Sequence, residues 1–158
     1  LLDENVPIKD LRTILEIASE NAAKFPDPLD MLPHIRYALR RTIVQSTFGD
    51  ELDYKVLGVQ PEFERLIEQS IGSAAIASDG LIEPSLARMF GEEVINGVAE
   101  MENNNLPPVI ISGSRARMTF SRIARRVCPQ AIVISMNELP PTANLTFQRV
   151  LCAQTSNT

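Results

Sequence analysis

Apolar side chains recur at Leu11, Ile14, Leu15, Ala18 and Ala22, the spacing of one face of a 3.6-residue helix. That pattern predicts a helix over 10–23, opened after Pro7 and stopped by Phe25-Pro26-Asp27-Pro28. A second stripe, Leu32, Ile35, Leu39 and Ile43, predicts a helix over 30–46. Asp30 is its expected N-cap, because Pro33 then falls in the first turn, where a missing N–H costs nothing. The alternative is an Asp27 cap with Pro28 at the first helical position, which places Pro33 deeper and kinks the helix. Phe48-Gly49-Asp50 ends the helical pattern.

Strand signals follow. Residues 52–59 contain Tyr54, Val56 and Leu57, and the helix opened by Gln60-Pro61-Glu62 carries Phe63, Leu66, Ile67 and Ile71 on one face. Residues 72–80 are small and turn-rich and read as a loop. Glu83-Pro84-Ser85 opens a further helix with Leu86, Met89, Phe90, Val94, Val98 and Met101, interrupted by Gly91 and Gly97 and ended by Asn103-Asn104-Asn105. Val109-Ile110-Ile111-Ser112 and residues 131–135 are short continuous apolar runs, typical of buried strands. Between them, residues 114–127 read as a helix with Ala116, Phe120, Ile123, Ala124 and Val127 inward. Such a strand–helix–strand unit is parallel with a right-handed crossover. After the turn at Leu139-Pro140-Pro141-Thr142, Leu145, Phe147 and Val150 predict a last strand. The expected fold class is α+β or α/β. A small helical subdomain (1–48) precedes an α/β subdomain (49–153) with a short mixed sheet containing the parallel βαβ unit, and 154–158 form a polar tail.

The 158 residues suit one domain, or two small ones. A 44% hydrophobic and 22% charged composition is that of a globular chain, and no run approaches the length of a membrane helix. The start at Leu1, without Met or a leader, reads as a cut from a longer protein. Fifteen basic against twenty acidic side chains give −5, which argues against general nucleic-acid binding. The excess is uneven. Residues 1–79 carry 8 basic and 14 acidic groups (−6), and residues 80–158 carry 7 and 6 (+1). Two cysteines, Cys128 and Cys152, predict free thiols in a reducing compartment. One histidine, His34, with distant cysteines excludes a closed zinc site of the usual ligands.

Candidate chemistry is sparse. Ser112-Gly113-Ser114-Arg115, between strand and helix, could hold an anion on exposed N–H groups, but it lacks the Gly-Lys-Ser/Thr ending of a phosphate loop. Ser112, Ser114, Cys128 and Cys152 have no identifiable general base, so neither catalytic residues nor a cofactor or metal is expected. Arg115, Arg122 and Arg126 cluster on one side of an ideal helix. No aromatic residues are interleaved for base stacking, so a solvated face or a protein contact is expected there. On the helical subdomain, Asp10, Arg12 and Glu16 on one helix and Arg36, Arg40 and Arg41 on the next are candidate protein-binding charges.

The order of motifs carries a resemblance. Leu2-x-x-Asn5-Val6-Pro7-Ile8-Lys9-Asp10-Leu11-Arg12-Thr13-Ile14-Leu15-Glu16 resembles a segment of the large export-gate protein of bacterial flagellar type III secretion, the FlhA family. Ile35-Arg36-x-Ala38-Leu39-x-Arg41-x-Ile43, Val56-Leu57-Gly58-Val59, Phe63-Glu64-Arg65-Leu66, Leu81-Ile82-Glu83-Pro84-Ser85-Leu86-Ala87 and Val133-Ile134-Ser135-x-Asn137-Glu138-Leu139 follow in family order. Ser70-Ile71-Gly72-Ser73 is closer to the flagellar branch than to the injectisome branch. Pro33 and the three asparagines depart from the pattern. The resemblance implies a non-enzymatic cytoplasmic piece of a protein anchored in the bacterial inner membrane. Its implied partners are other copies in a ring, chaperone–substrate complexes and other export components, with no nucleic acid and no small-molecule substrate. An injectisome homologue, or a small α/β anion binder using Ser112–Arg115, are the alternatives.

Overall fold

The computed structural model describes residues 1–74 and 82–152. The chain divides into two compact units. One comprises Leu1–Leu52 with Asn137–Asn144, the other Asp53–Met136 with the chain from Leu145. The return of residues 137–144 to the helical unit has no counterpart in the periodicity of the sequence.

In the helical unit a short 3-10 turn, Leu2–Glu4, precedes α1 (Leu11–Asn21), α2 (Pro28–Ala38) and α3 (Arg40–Phe48). Asp10 caps α1 by accepting the Thr13 N–H at 3.1 Å. The single helix expected over 30–46 is two helices. Asp27, not Asp30, is the cap, accepting the Leu29 N–H at 2.8 Å, with Pro28 at the first helical position. Pro33 therefore lies inside α2, where it has no N–H to offer the Leu29 carbonyl. The chain breaks at Leu39 (φ −85°, ψ 3°), which ends α2 and starts α3. Ile35, Leu39, Ile43 and Val44 are buried, so the expected stripe survives the break. Gly49, at φ 66°, ends α3 in a conformation that favours glycine.

The stripe expected on α1 does not form a core. No residue of α1 is buried: Leu11 and Leu15 are 56% and 66% exposed, Ala22 is exposed, and Ile14 and Ala18 are half-buried.

The second unit is built on β1 (Asp53–Val59), β2 (Val109–Ser112), β3 (Ile132–Ser135) and β4 (Asn144–Leu151), in the order β3-β2-β1-β4. Ile110 pairs with Leu57 on one side and Val133 on the other, both parallel. Asn144 N–H donates to the Leu52 carbonyl at one end of β1 and Gln60 N–H to the Leu151 carbonyl at the other, so β4 also runs parallel. The sheet is parallel rather than mixed.

Helices α4 (Pro61–Ala74), α5 (Pro84–Asn103) and α6 (Arg117–Val127) supply the rest of the core. Residues 72–74, expected in a loop, continue α4; the remainder of that loop and the polar tail lie outside the described residues. Phe63, Phe90 and Phe120 are fully buried, with ring centroids 5.8 Å (Phe63–Phe90) and 4.5 Å (Phe90–Phe120) apart. Leu66, placed inward by the periodicity, is 44% exposed. Helix α5 runs unbroken through both glycines because they sit at close approaches. A Cβ on Gly97 would lie 3.0 Å from Leu57 Cδ1 and 3.1 Å from Leu151 Cδ2. Phe147 is half-exposed, its ring lying over Gly58, and the buried residue of that strand is Leu151.

Replacing Phe120 by Ala should cost about 3–5 kcal/mol in a denaturant melt, the range for large aromatic truncations in cores. A loss below about 1 kcal/mol would place Phe120 outside the core.

Candidate protein-interaction surfaces

The turn Ser112–Arg115 is already occupied by a carboxylate. Glu64 of α4 accepts the Gly113 N–H, and a Cβ on Gly113 would lie 2.6 Å from Glu64 Oε1. The Ser112 hydroxyl is buried and donates to the Gly113 carbonyl at 3.2 Å. An anion at Gly113 would displace an internal one, so the small anion-binder alternative loses its site. Cys128 is buried, and burial followed by the charge of Glu102 pushes its thiol above the ordinary value. It is therefore a protonated, poor nucleophile at neutral pH. His34 stacks on Phe25, ring centroids 4.9 Å apart.

The candidate charges of the helical unit differ in kind. Asp10 is a helix cap that also accepts the Thr13 hydroxyl at 2.6 Å. The Thr13 hydroxyl, then its N–H, hold the carboxyl below its ordinary value. Arg12 and Glu16 pair with each other at 2.8 Å, one turn apart and both exposed. Arg40 lies 4.2 Å over the ring of half-exposed Tyr37 and donates to the Tyr37 carbonyl at 2.9 Å; Arg41 is exposed.

Arg36 is different. It is 2% exposed and forks onto Glu138, Nε to Oε1 at 2.7 Å and Nη2 to Oε2 at 2.9 Å, while Nη1 donates to Glu4 at 3.0 Å. Burial pulls the guanidinium down, but the hydrogen bonds and charges of Glu138 and Glu4 together hold it above its ordinary value. A base raised in the fold keeps its contribution at every pH below its unfolded value, so the cation is constant through the physiological range. Arg36 and Arg40, four residues apart, thus do not form a common surface; Arg36 is spent inside its own unit. Sequence reasoning missed the two carboxylates. One signal was present: Glu138 is the only acidic residue after Glu102.

Arg115, Arg122 and Arg126 are exposed on the α/β unit. Helix α6 begins at Arg117, so Arg115 lies in the turn before it rather than on the expected helix. The periodicity also could not reveal the uncovered face of α1, because it reports that Leu11 and Leu15 share a side, not what covers them.

Comparison with known proteins gives a consistent picture. A model of the FHIPEP family matches residues 1–144. The flagellar biosynthesis protein FlhA of Proteus mirabilis is 38% identical over 139 residues, covering 88% of this chain and 19% of that protein. The chain thus spans about one fifth of the length of that relative. The structure of the Chlamydia pneumoniae CdsV and CdsO protein complex matches with a TM-score of 0.82 at 24% identity, covering 96% of this chain and 44% of that one. The nonameric EscV cytosolic domain from a type III secretion system matches with a TM-score of 0.70 at 25% identity, covering 95% and 44%.

Truncating Glu138 to Ala should cost about 3–5 kcal/mol, because it leaves Arg36 buried without its fork. Replacing the pair together, Arg36→Met with Glu138→Leu, should cost less than Glu138→Ala alone. A double variant less stable than the single one by chemical melting would contradict this account of the pair.

Proposed function

Since the chain belongs to the FHIPEP family, we propose that it is a non-enzymatic docking and assembly piece of a bacterial flagellar protein-export gate, on the cytoplasmic side of an inner-membrane parent. The observation that carries the assembly part is the face of α1. A helix with no buried residue and two leucines uncovered one turn apart is unusual in a finished surface. Single exposed leucines are ordinary; a pair on one helix side, beside the Arg12–Glu16 pair, is the pattern of an apolar contact with a charged rim. Covering the part of each leucine that is still exposed contributes roughly 1–2 kcal/mol. That is enough to matter in a ring, where every contact repeats, and too little to hold two isolated copies at micromolar concentration. The chain alone is therefore expected to be monomeric, and the complete gate protein to assemble.

The nine-membered assembly of EscV supports self-association, and CdsV with CdsO supports a protein partner. Chaperone–substrate complexes and other export components are the proposed partners in this chain. The flagellar relative at 38% identity, against 24–25% for the two secretion-system structures, favours flagellar over injectisome export. Membrane anchorage is assigned to the parent, since no described helix is long and apolar enough to cross a membrane. No chemical step is assigned: the reading needs only surfaces, and the Cys128 thiol is suppressed by burial.

The test uses the complete gate protein with Leu11→Asp and Leu15→Asp together. Ring formation and flagellar secretion should both fall while the melting temperature stays near that of the parent, because neither side chain is buried in the unit. Intact rings and secretion in the double variant would remove α1 from the assembly surface.

A further inference from the structure

Residues 103–137 hold five arginines and no carboxylate, in a chain of net charge −5. Arg117 is buried and engaged inside the unit. Arg115, Arg122 and Arg126 are exposed and have no ion-pair partner among the described residues, where the ion pairs fall on Arg12, Arg36 and Arg149. The helix dipole accounts for only part of this. Cations are favoured in the last turn of a helix, where Arg125 and Arg126 lie, and disfavoured at the first. Arg115 precedes the first turn and Arg122 is in the middle, where the dipole offers nothing. Arg122 and Arg126, one turn apart, repel each other. The opposite side of α6 is fixed, with Phe120 and Ala124 fully buried and Ile123 nearly so. Arg122 and Arg126 are therefore carried on a held helix.

We propose that this face of α6 docks an acidic α-helical surface of another protein, with carboxylates one turn apart meeting Arg122 and Arg126. The match is geometric as well as electrostatic. Residues four apart rise about 6 Å on either helix, and the guanidinium fork fits a carboxylate two-handed. Arg115, in the turn leading into α6, extends the positive stripe, and Val127, 40% exposed, offers an apolar contact beside Arg126. Nucleic acid fits less well. The aromatic side chain of α6, Phe120, is buried, and the net negative charge of the chain repels a polyanion. A bilayer fits less well because Val127 is the one large apolar side chain of α6 among those exposed. This assignment rests on reading the chain as a docking module, but not on self-association, since α6 and α1 belong to different units.

The experiment is fluorescence anisotropy of the chain with a labelled alanine-based helical peptide carrying glutamates at i, i+4. Its glutamine counterpart, a DNA duplex and phosphatidylglycerol-containing vesicles serve as competing probes. The glutamate peptide should bind with a strong salt dependence and the glutamine peptide should not. Arg122→Glu with Arg126→Glu should weaken binding about tenfold or more. Arg122→Gln with Arg126→Gln should weaken it too, and this milder pair decides the matter if charge reversal disturbs the fold. Undiminished binding by the Gln pair, no salt-sensitive binding of the glutamate peptide, or tighter binding of the duplex or vesicles would each overturn the proposal. Loss of rings in the α1 variant leaves this assay unaffected, so the two readings fail separately.

Discussion

The helical unit depends on one buried cation. Arg36 draws together three stretches of chain, Glu4 near the start, its own helix α2, and Glu138 more than a hundred residues later. A guanidinium that is 2% exposed is tolerable only because its fork is matched by the two oxygens of Glu138 and its remaining edge by Glu4. The requirement works in both directions. Glu138 is itself only 4% exposed and needs a cation as much as the cation needs it. This is why residues 137–144 belong with the helices and not with the sheet whose strands flank them. Ile35, Leu39, Ile43 and Val44 give α2 and α3 an apolar stripe, but α1 buries nothing completely, so the polar clasp adds the ties between distant stretches of chain.

The α/β unit follows a different logic. Its strands β2 and β3 are continuous apolar runs, its helices bring three phenylalanines into contact, and Gly97 stands where α5 meets the sheet and Gly91 where it meets α6. Among the described residues, the turn after β2, the site with the look of ligand chemistry, is closed by Glu64. With that turn filled from within, what the chain offers outward is surface: uncovered leucines on α1 and unpaired arginines on and before α6. Both are surface features of the kind the proposed docking role needs.

Much of this was legible in the sequence, and the failures share a cause. The apolar periods of α4, α5 and α6 and the runs of β2 and β3 located those elements, because there the local pattern and the tertiary packing mostly agree; Leu66 and Val127, placed inward, are the exceptions at 44% and 40% exposed. The Asp27 cap was legible only as an alternative, since two aspartates could each cap α2 and the choice decides where Pro33 falls; the break at Leu39 was not legible. Periodicity marked one side of α1 as apolar but could not say that the side stays uncovered. The arginines were read as a class, whereas Arg36, Arg40 and Arg122 differ entirely in surroundings: buried among carboxylates, stacked on a ring, and unpaired. Pairings across a hundred residues, and the occupation of an amide by a carboxylate from another helix, are tertiary facts with no local signature.

The central claim, that the Arg36 clasp holds the helical unit together, is tested most directly by native-state hydrogen exchange of the Glu138→Gln variant against the parent. Removing one charge while keeping the side-chain shape should lower protection in α2, α3 and the N-terminal turn, and leave the slowest amides of β2 and α6 unchanged. Unchanged protection in α2 and α3 would contradict the account, as would a loss spread evenly over both units.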